Sequence, residues 1–226
     1  MTADFFDKKR WLYIVLSQCL AVFIGACMCY AVKIKYATPV WVGKSFYFLV
    51  SQDTHIDAST HEIRLDGGAG YLLDYDGRSY VTWSVYLQQA DGMAVQAGLN
   101  ETTQLLKVDV SYLYFKTREE KRRKKDVQGA LNSFYGCISV LSQTIEKLEK
   151  GLTQNACGGI LSNLEKHFSY LHKTYREGYL EFSDTCASIQ SMLADVRSKI
   201  IYGKDLRYIL CGACDAYIRL ASKFFL

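Results

Sequence analysis

The sequence predicts an α+β fold in three parts: an N-terminal transmembrane helix, a βαββαβ domain of ferredoxin-like order, and a C-terminal antiparallel helical region. Three features predict it. An uncharged run extends from Leu12 to Val32. Strand-like and helix-like stretches alternate between residues 45 and 116. Beyond Thr117 apolar residues recur at spacings of three and four, and no proline follows Pro39, the single proline of the chain, so nothing interrupts long helices. The implied organisation is a cytoplasmic tail (1–10), a membrane span (11–32), a spacer (33–44), an α+β domain (45–116) and helices (117–226).

The span rests on length. About 20 apolar residues cross a bilayer, and Trp11 and Tyr30 sit near the two ends, at headgroup level. A cleaved secretory signal has an apolar stretch of only about 7–15 residues, shorter than this run. Ile24-Gly25-Ala26-Cys27 is similar to a lipid-attachment box, but the apolar run continues past it to Val32. An uncleaved anchor is therefore preferred. A short N-terminal tail stays cytoplasmic, which places the protein in the cell membrane as a single-pass chain with residues 33–226 extracytoplasmic.

Within the domain, Ser45 to Ser51 is aromatic and β-branched, hence a strand. His55 to Leu65 reads as a weak helix stopped by Asp66-Gly67-Gly68-Ala69-Gly70. Residues 71–75 and 78–87 flank Asp76-Gly77, a strong hairpin signal. Residues 88–99 read as a second short helix, and residues 105–115 alternate as a final strand. After the opening charge run Arg118 to Lys125, helices are expected at about 118–150, 153–177, 179–202 and 204–226. Gly151, Gly178 and Gly203 stand at the joints, where left-handed caps are expected. Short connections imply antiparallel neighbours.

Charge is unevenly spread. Residues 33–117 carry 7 Lys+Arg against 9 Asp+Glu, and residues 118–226 carry 17 against 12. A slightly acidic middle argues against nucleic acid as a partner there. The basic run suits either an acidic polymer or the solvated start of a helix. Five of the eight cysteines lie beyond the span, an odd number that cannot close a complete set of disulfides. Cys211-Gly-Ala-Cys214 has redox or metal spacing, but no second pair matches it, and positions three apart on a helix share a face. His167 and His172, five apart on a helix, point in different directions. No phosphate loop, zinc-protease motif or nucleophile elbow is present. The reading is a non-enzyme with no catalytic residue, metal or cofactor.

The sheet supplies the candidate site. With both short helices on one side, Phe46, Phe48, Val50, Val81, Trp83, Val85, Leu106, Val108 and Val110 point inward. Tyr47, Leu49, Ser51, Tyr80, Thr82 and Ser84 then line an open face. Tyrosine rings and hydroxyls suit a sugar's C–H surface and its hydroxyl groups. The competing reading is a face covered by the C-terminal helices.

Phe46-Tyr47-Phe48-Leu49-Val50-Ser51, and its half-repeat Tyr80-Val81-Thr82-Trp83-Ser84-Val85-Tyr86 followed by Gln89-Ala90 and a helix, resemble the SPOR domain family over about residues 43–115. Leu49 stands where that family commonly has glutamine, Ser51 and Ser84 where it has glycine, and Tyr80 where it often has arginine. The resemblance implies an envelope protein that binds peptidoglycan glycan strands through the six sheet-face residues, at division or sporulation sites. Residues 117–226 would dock an envelope protein or self-associate. The alternative is a non-catalytic protein–protein scaffold in a membrane complex, binding no glycan.

Overall fold

The structure is a computed structural model that describes residues 38–51, 56–99, 103–116 and 121–225. The chain divides into two compact units, Met1–Trp41 with Leu113–Lys124, and Val42–Tyr112 with Lys125–Leu226. Of the first unit, only the outer ends of two strands and the first residues of one helix are described. The core and the candidate site lie in the second.

Four strands and six helices follow in the order β1 (Thr38–Ser51), α1 (Ile56–Leu65), β2 (Tyr71–Tyr75), β3 (Arg78–Tyr86), α2 (Gln89–Gln96), β4 (Thr103–Lys116), α3 (Lys121–Glu149), α4 (Gln154–Tyr175), α5 (Leu180–Arg197) and α6 (Gly203–Phe225). The antiparallel sheet has the order β2-β3-β1-β4. β2 and β3 form the hairpin, with Tyr75 opposite Arg78. Asp76 and Gly77 both take positive φ (52° and 72°), as a two-residue turn matched to the strand twist requires. β1 begins at Thr38, inside the stretch read as a spacer, and carries Pro39 near its start, a position where a missing N–H is tolerated.

Two expectations are corrected. The fold is an α+β structure in which, among the described residues, no helix is long and apolar enough to cross a membrane. The described helices carry charge along one side of an apolar stripe, as surface helices of a folded domain do. The expected span 11–32 and the cytoplasmic tail 1–10 lie outside the described residues, so the single-pass localisation has no described helix to rest on. The second correction concerns caps. Gly151 is left-handed (φ 97°), but Gly178 and Gly203 are not. α5 instead closes at Ser198, whose N–H donates to the carbonyls of Ala194 and Asp195.

The helical stripes explain the packing. Val127, Ala130, Leu131, Phe134, Cys137, Ile138, Leu141 and Ile145 on α3, and Cys157, Leu161, Leu164, Phe168 and Leu171 on α4, are all buried. α4 and α5 pair as a hairpin, α5 packs on α6, and α6 lies on β2 and β3. These residues form one core with Phe46, Phe48, Val50, Leu73, Val85, Val108 and Val110 of the sheet. The aromatic joint is dense: the Phe46 ring meets Tyr217 at 5.5 Å, and Phe134 meets Phe168 at 5.5 Å.

The opposite sheet face holds a smaller apolar group, Leu49, Ile63 and Val81, under α1 and α2. Close approach rather than bulk closes it. A methyl group added at Gly68 would stand 2.5 Å from Ile63 Cγ2 and 2.9 Å from Trp83 Cε3. One added at Gly92 would stand 2.8 Å from Leu105 Cδ1 and 3.2 Å from Tyr86 Cδ2. Helices thus lie on both faces of the sheet, and on the second face the β4 side stays open at Lys107 and Asp109.

Candidate functional site

The six predicted sheet residues do not form one surface. Leu49, Thr82 and Ser84 are buried, while Tyr47, Ser51 and Tyr80 are half-buried. The cause is a β-bulge. Leu49 lies opposite Ser84, but the next β1 residue, Val50, lies opposite Thr82, leaving Trp83 as the extra residue. An extra residue reverses the alternation beyond it. Thr82 therefore shares a face with its β2 partner Tyr71, whose hydroxyl reaches α6 and donates to Asp215 Oδ2 at 2.8 Å. Tyr80 packs on the same large core. Ser84 and Leu49 face the other way, under the short helices. The hydroxyl of Thr82 is buried with no hydrogen-bond partner among the described residues.

The remaining candidates separate from chemistry. Cys137, Cys157, Cys186, Cys211 and Cys214 are free and buried; burial pushes the Cys137 and Cys186 thiols up to about 12 and raises those of Cys211 and Cys214 well above the ordinary thiol range. A nucleophilic cysteine needs the opposite shift. Among the described residues no group of His, Cys, Asp and Glu is placed to hold a metal ion. His172 Nδ1 stands 2.8 Å from Ser183 Oγ, a spacing that invites comparison with a nucleophile and base. Ser183 is fully buried, however, and its hydroxyl donates to the His172 carbonyl at 3.0 Å, with Nδ1 3.1 Å from the Ser183 carbonyl. The pair pins the end of α4 to the start of α5. Of the basic run, residues 118–120, and the side chains of 121–125, lie outside what is described.

A groove of about 510 Å³ lies where α1, α5 and α6 converge. α5 contributes Ser188, Ser191, Met192, Asp195 and Val196; α6 contributes Asp205, Tyr208 and Ile209; Arg64 closes the α1 side. Its wall is fixed by a chain of contacts. Arg64 Nη2 pairs with Asp205 Oδ1 at 2.9 Å, and its guanidinium lies 5.3 Å from the Tyr208 ring centre. That ring meets Tyr71 edge-on at 5.4 Å. Burial first, and then the bond to Asp215, push the Tyr71 hydroxyl well above the usual tyrosine range, so it remains a donor. Behind the wall Arg207 donates to the Gly67 carbonyl and pairs with Glu149, tying α6 to the α1–β2 turn and to the end of α3.

Beside the groove the α5–α6 connection is clamped. Gln154 Nε2 donates to the Ile201 carbonyl at 3.0 Å, and the Ile201 N–H donates to Gln154 Oε1 at 3.0 Å. Ile201 is buried, which turns its neighbours outward: Ile200 is 64% exposed and Tyr202 53%. Leu65, next to Arg64, is 68% exposed. None of these residues was singled out in the sequence. The available signal was the apolar run Ile200-Ile201-Tyr202 at a helix joint flanked by Lys199 and Lys204, where polar turn residues are usual.

No family model matches the chain, and no similar protein is found among curated proteins or solved structures.

Proposed function

We propose that this protein is a non-catalytic protein–protein scaffold, whose partner docks at the α5–α6 corner rather than on the sheet. The observation that carries this reading is the Gln154 clamp, which holds Ile200 and Tyr202 outward beside the groove. Exposed apolar side chains on a rigid connection lose little freedom on binding, which favours association. A groove lined by both apolar (Met192, Val196, Ile209) and charged (Arg64, Asp195, Asp205) side chains carries the two components of which interface cores and rims are made. The helices on both sheet faces support it as well, since a sugar would have to displace packed helices to reach Leu49, Thr82 or Ser84.

Two measurements test the reading. Co-sedimentation with peptidoglycan sacculi, intact or stripped of stem peptides by amidase, is expected to give no pelleting. Pelleting that rises on stripping and falls in a Tyr47→Ala/Tyr80→Ala variant would restore glycan binding and defeat the proposal. An Ile200→Asp/Tyr202→Asp variant is expected to keep its far-UV CD spectrum and lose partner co-purification from its native host. Co-purification unchanged by that variant would remove the corner from consideration.

A further inference from the structure

β4 ends the sheet order, and among the described residues no strand pairs with its outer edge. It is 14 residues long, against about 5–6 for a typical strand. Long open edges are hazards that proteins shorten, blunt with charge, cover or pair. Its side chains show how this one is suited to pairing. Lys107 and Asp109 are 51% and 47% exposed and lie on the face shared with Ser45, whose hydroxyl donates to Asp109 Oδ1 at 2.7 Å. Val108 and Val110, on the other face, are buried.

We propose that β4 pairs edge to edge and antiparallel with β4 of a second copy, the two-fold axis passing through Val108. In that register Lys107 of each copy lies opposite Asp109 of the other, giving two cross-strand ion pairs on one face. On the other face Val108 meets Val108 of the second copy, and Leu106 meets Val110. No other two-fold register does this. An axis at residue 107 or 109 sets like charges against each other, axes at 106 or 110 pair neither charge with its opposite, and an axis between residues puts side chains of opposite faces together. The Lys107–Asp109 contact within one strand (2.8 Å) is exchanged for contacts between strands, at positions where opposite charges across an antiparallel ladder stabilise and like charges destabilise. This pairing is independent of the α5–α6 corner, which lies elsewhere on the chain.

Sedimentation equilibrium of the full chain and three variants tests it. The unaltered chain is expected to dimerise, more weakly as salt is raised. Lys107→Asp and Asp109→Lys should each weaken the dimer by about tenfold, and the Lys107→Asp/Asp109→Lys double swap should restore it. Thermal unfolding of each variant distinguishes lost pairing from lost folding, because half-exposed ion pairs contribute little to stability. A chain that sediments as a monomer, a dimer that neither single reversal weakens, or a double swap that fails to recover association overturns the proposal. A monomer that acquires a partner through β4 only from another protein counts among the overturning outcomes.

Discussion

The two faces of the sheet are closed by different means. On one, Phe46, Phe48, Val108 and Val110 belong to a single core with the buried stripes of the four long helices, a core rich in aromatic rings. On the other, a 10-residue and an 8-residue helix lie against Leu49 and Val81, and the only buried residue of α2 is Gly92. Side-chain bulk secures the first face, and the absence of side chains permits the second. Cutting a residue down should therefore damage one face, and building a residue up should damage the other.

The largest effect is expected from Phe134→Ala, which removes a ring touching Phe168, Phe182 and Tyr217. Chemical denaturation should show a loss of about 3–5 kcal/mol. Equal tolerance of this change and of truncations under α1 would remove the contrast. Gly68→Ala sharpens it from the other side. Its new methyl group meets Ile63 and Trp83 below 3.0 Å, so the unfolding midpoint should fall by an amount equivalent to about 1–3 kcal/mol. Stabilisation by that substitution would show the thin face to be loosely packed.

Alkaline pH probes the buried thiols of the thick face. Cys137 and Cys186 have folded-state values pushed up to about 12 by burial, from the ordinary thiol value of 9.0. A raised value favours the protonated thiol in the folded state, so the stabilisation is complete below about pH 9 and is lost as pH rises toward 12. At pH 10 each thiol should reduce stability by about 1 kcal/mol. Below pH 9 the described thiols should react with iodoacetamide only after unfolding; rapid labelling of Cys186 in the native protein would contradict its burial. The smallest change is expected from Thr82→Val, which removes a buried hydroxyl that has no partner among the described residues and should raise stability by about 1 kcal/mol. If Thr82→Val destabilises, the Thr82 hydroxyl has a bonding role of its own.

Much of the element order was legible, because Asp76-Gly77 marks a turn and the spacing of Leu131, Phe134, Ile138 and Leu141 marks a helix. What covers the sheet was not. Helical spacing says that one side of α3 or α6 is buried without saying against what, so the face assigned to open water is the face of α6 for Tyr80 and Thr82 and of the short helices for Leu49 and Ser84. The bulge at Trp83 is equally silent: Thr82-Trp83-Ser84 contains neither glycine nor proline, and strict alternation reads straight through it. The α5–α6 corner was hidden because Ile200 and Tyr202 read as the end of a helix, whereas α5 stops at Arg197.

The position of α6 in the chain bears on how the protein is made. It is the last described element to leave the ribosome, yet it lies on β2 and β3, which emerge long before it. Through the synthesis of α3, α4 and α5, the strands must wait with Phe46, Leu73 and Val85 short of the helix that completes their cover. A nascent chain in that condition presents a sticky sheet to its neighbours. Stop codons or ribosome stalling before Gly203 should thus yield products destined for chaperones and proteases, so that α6 is the element on which the quality control of the sheet turns.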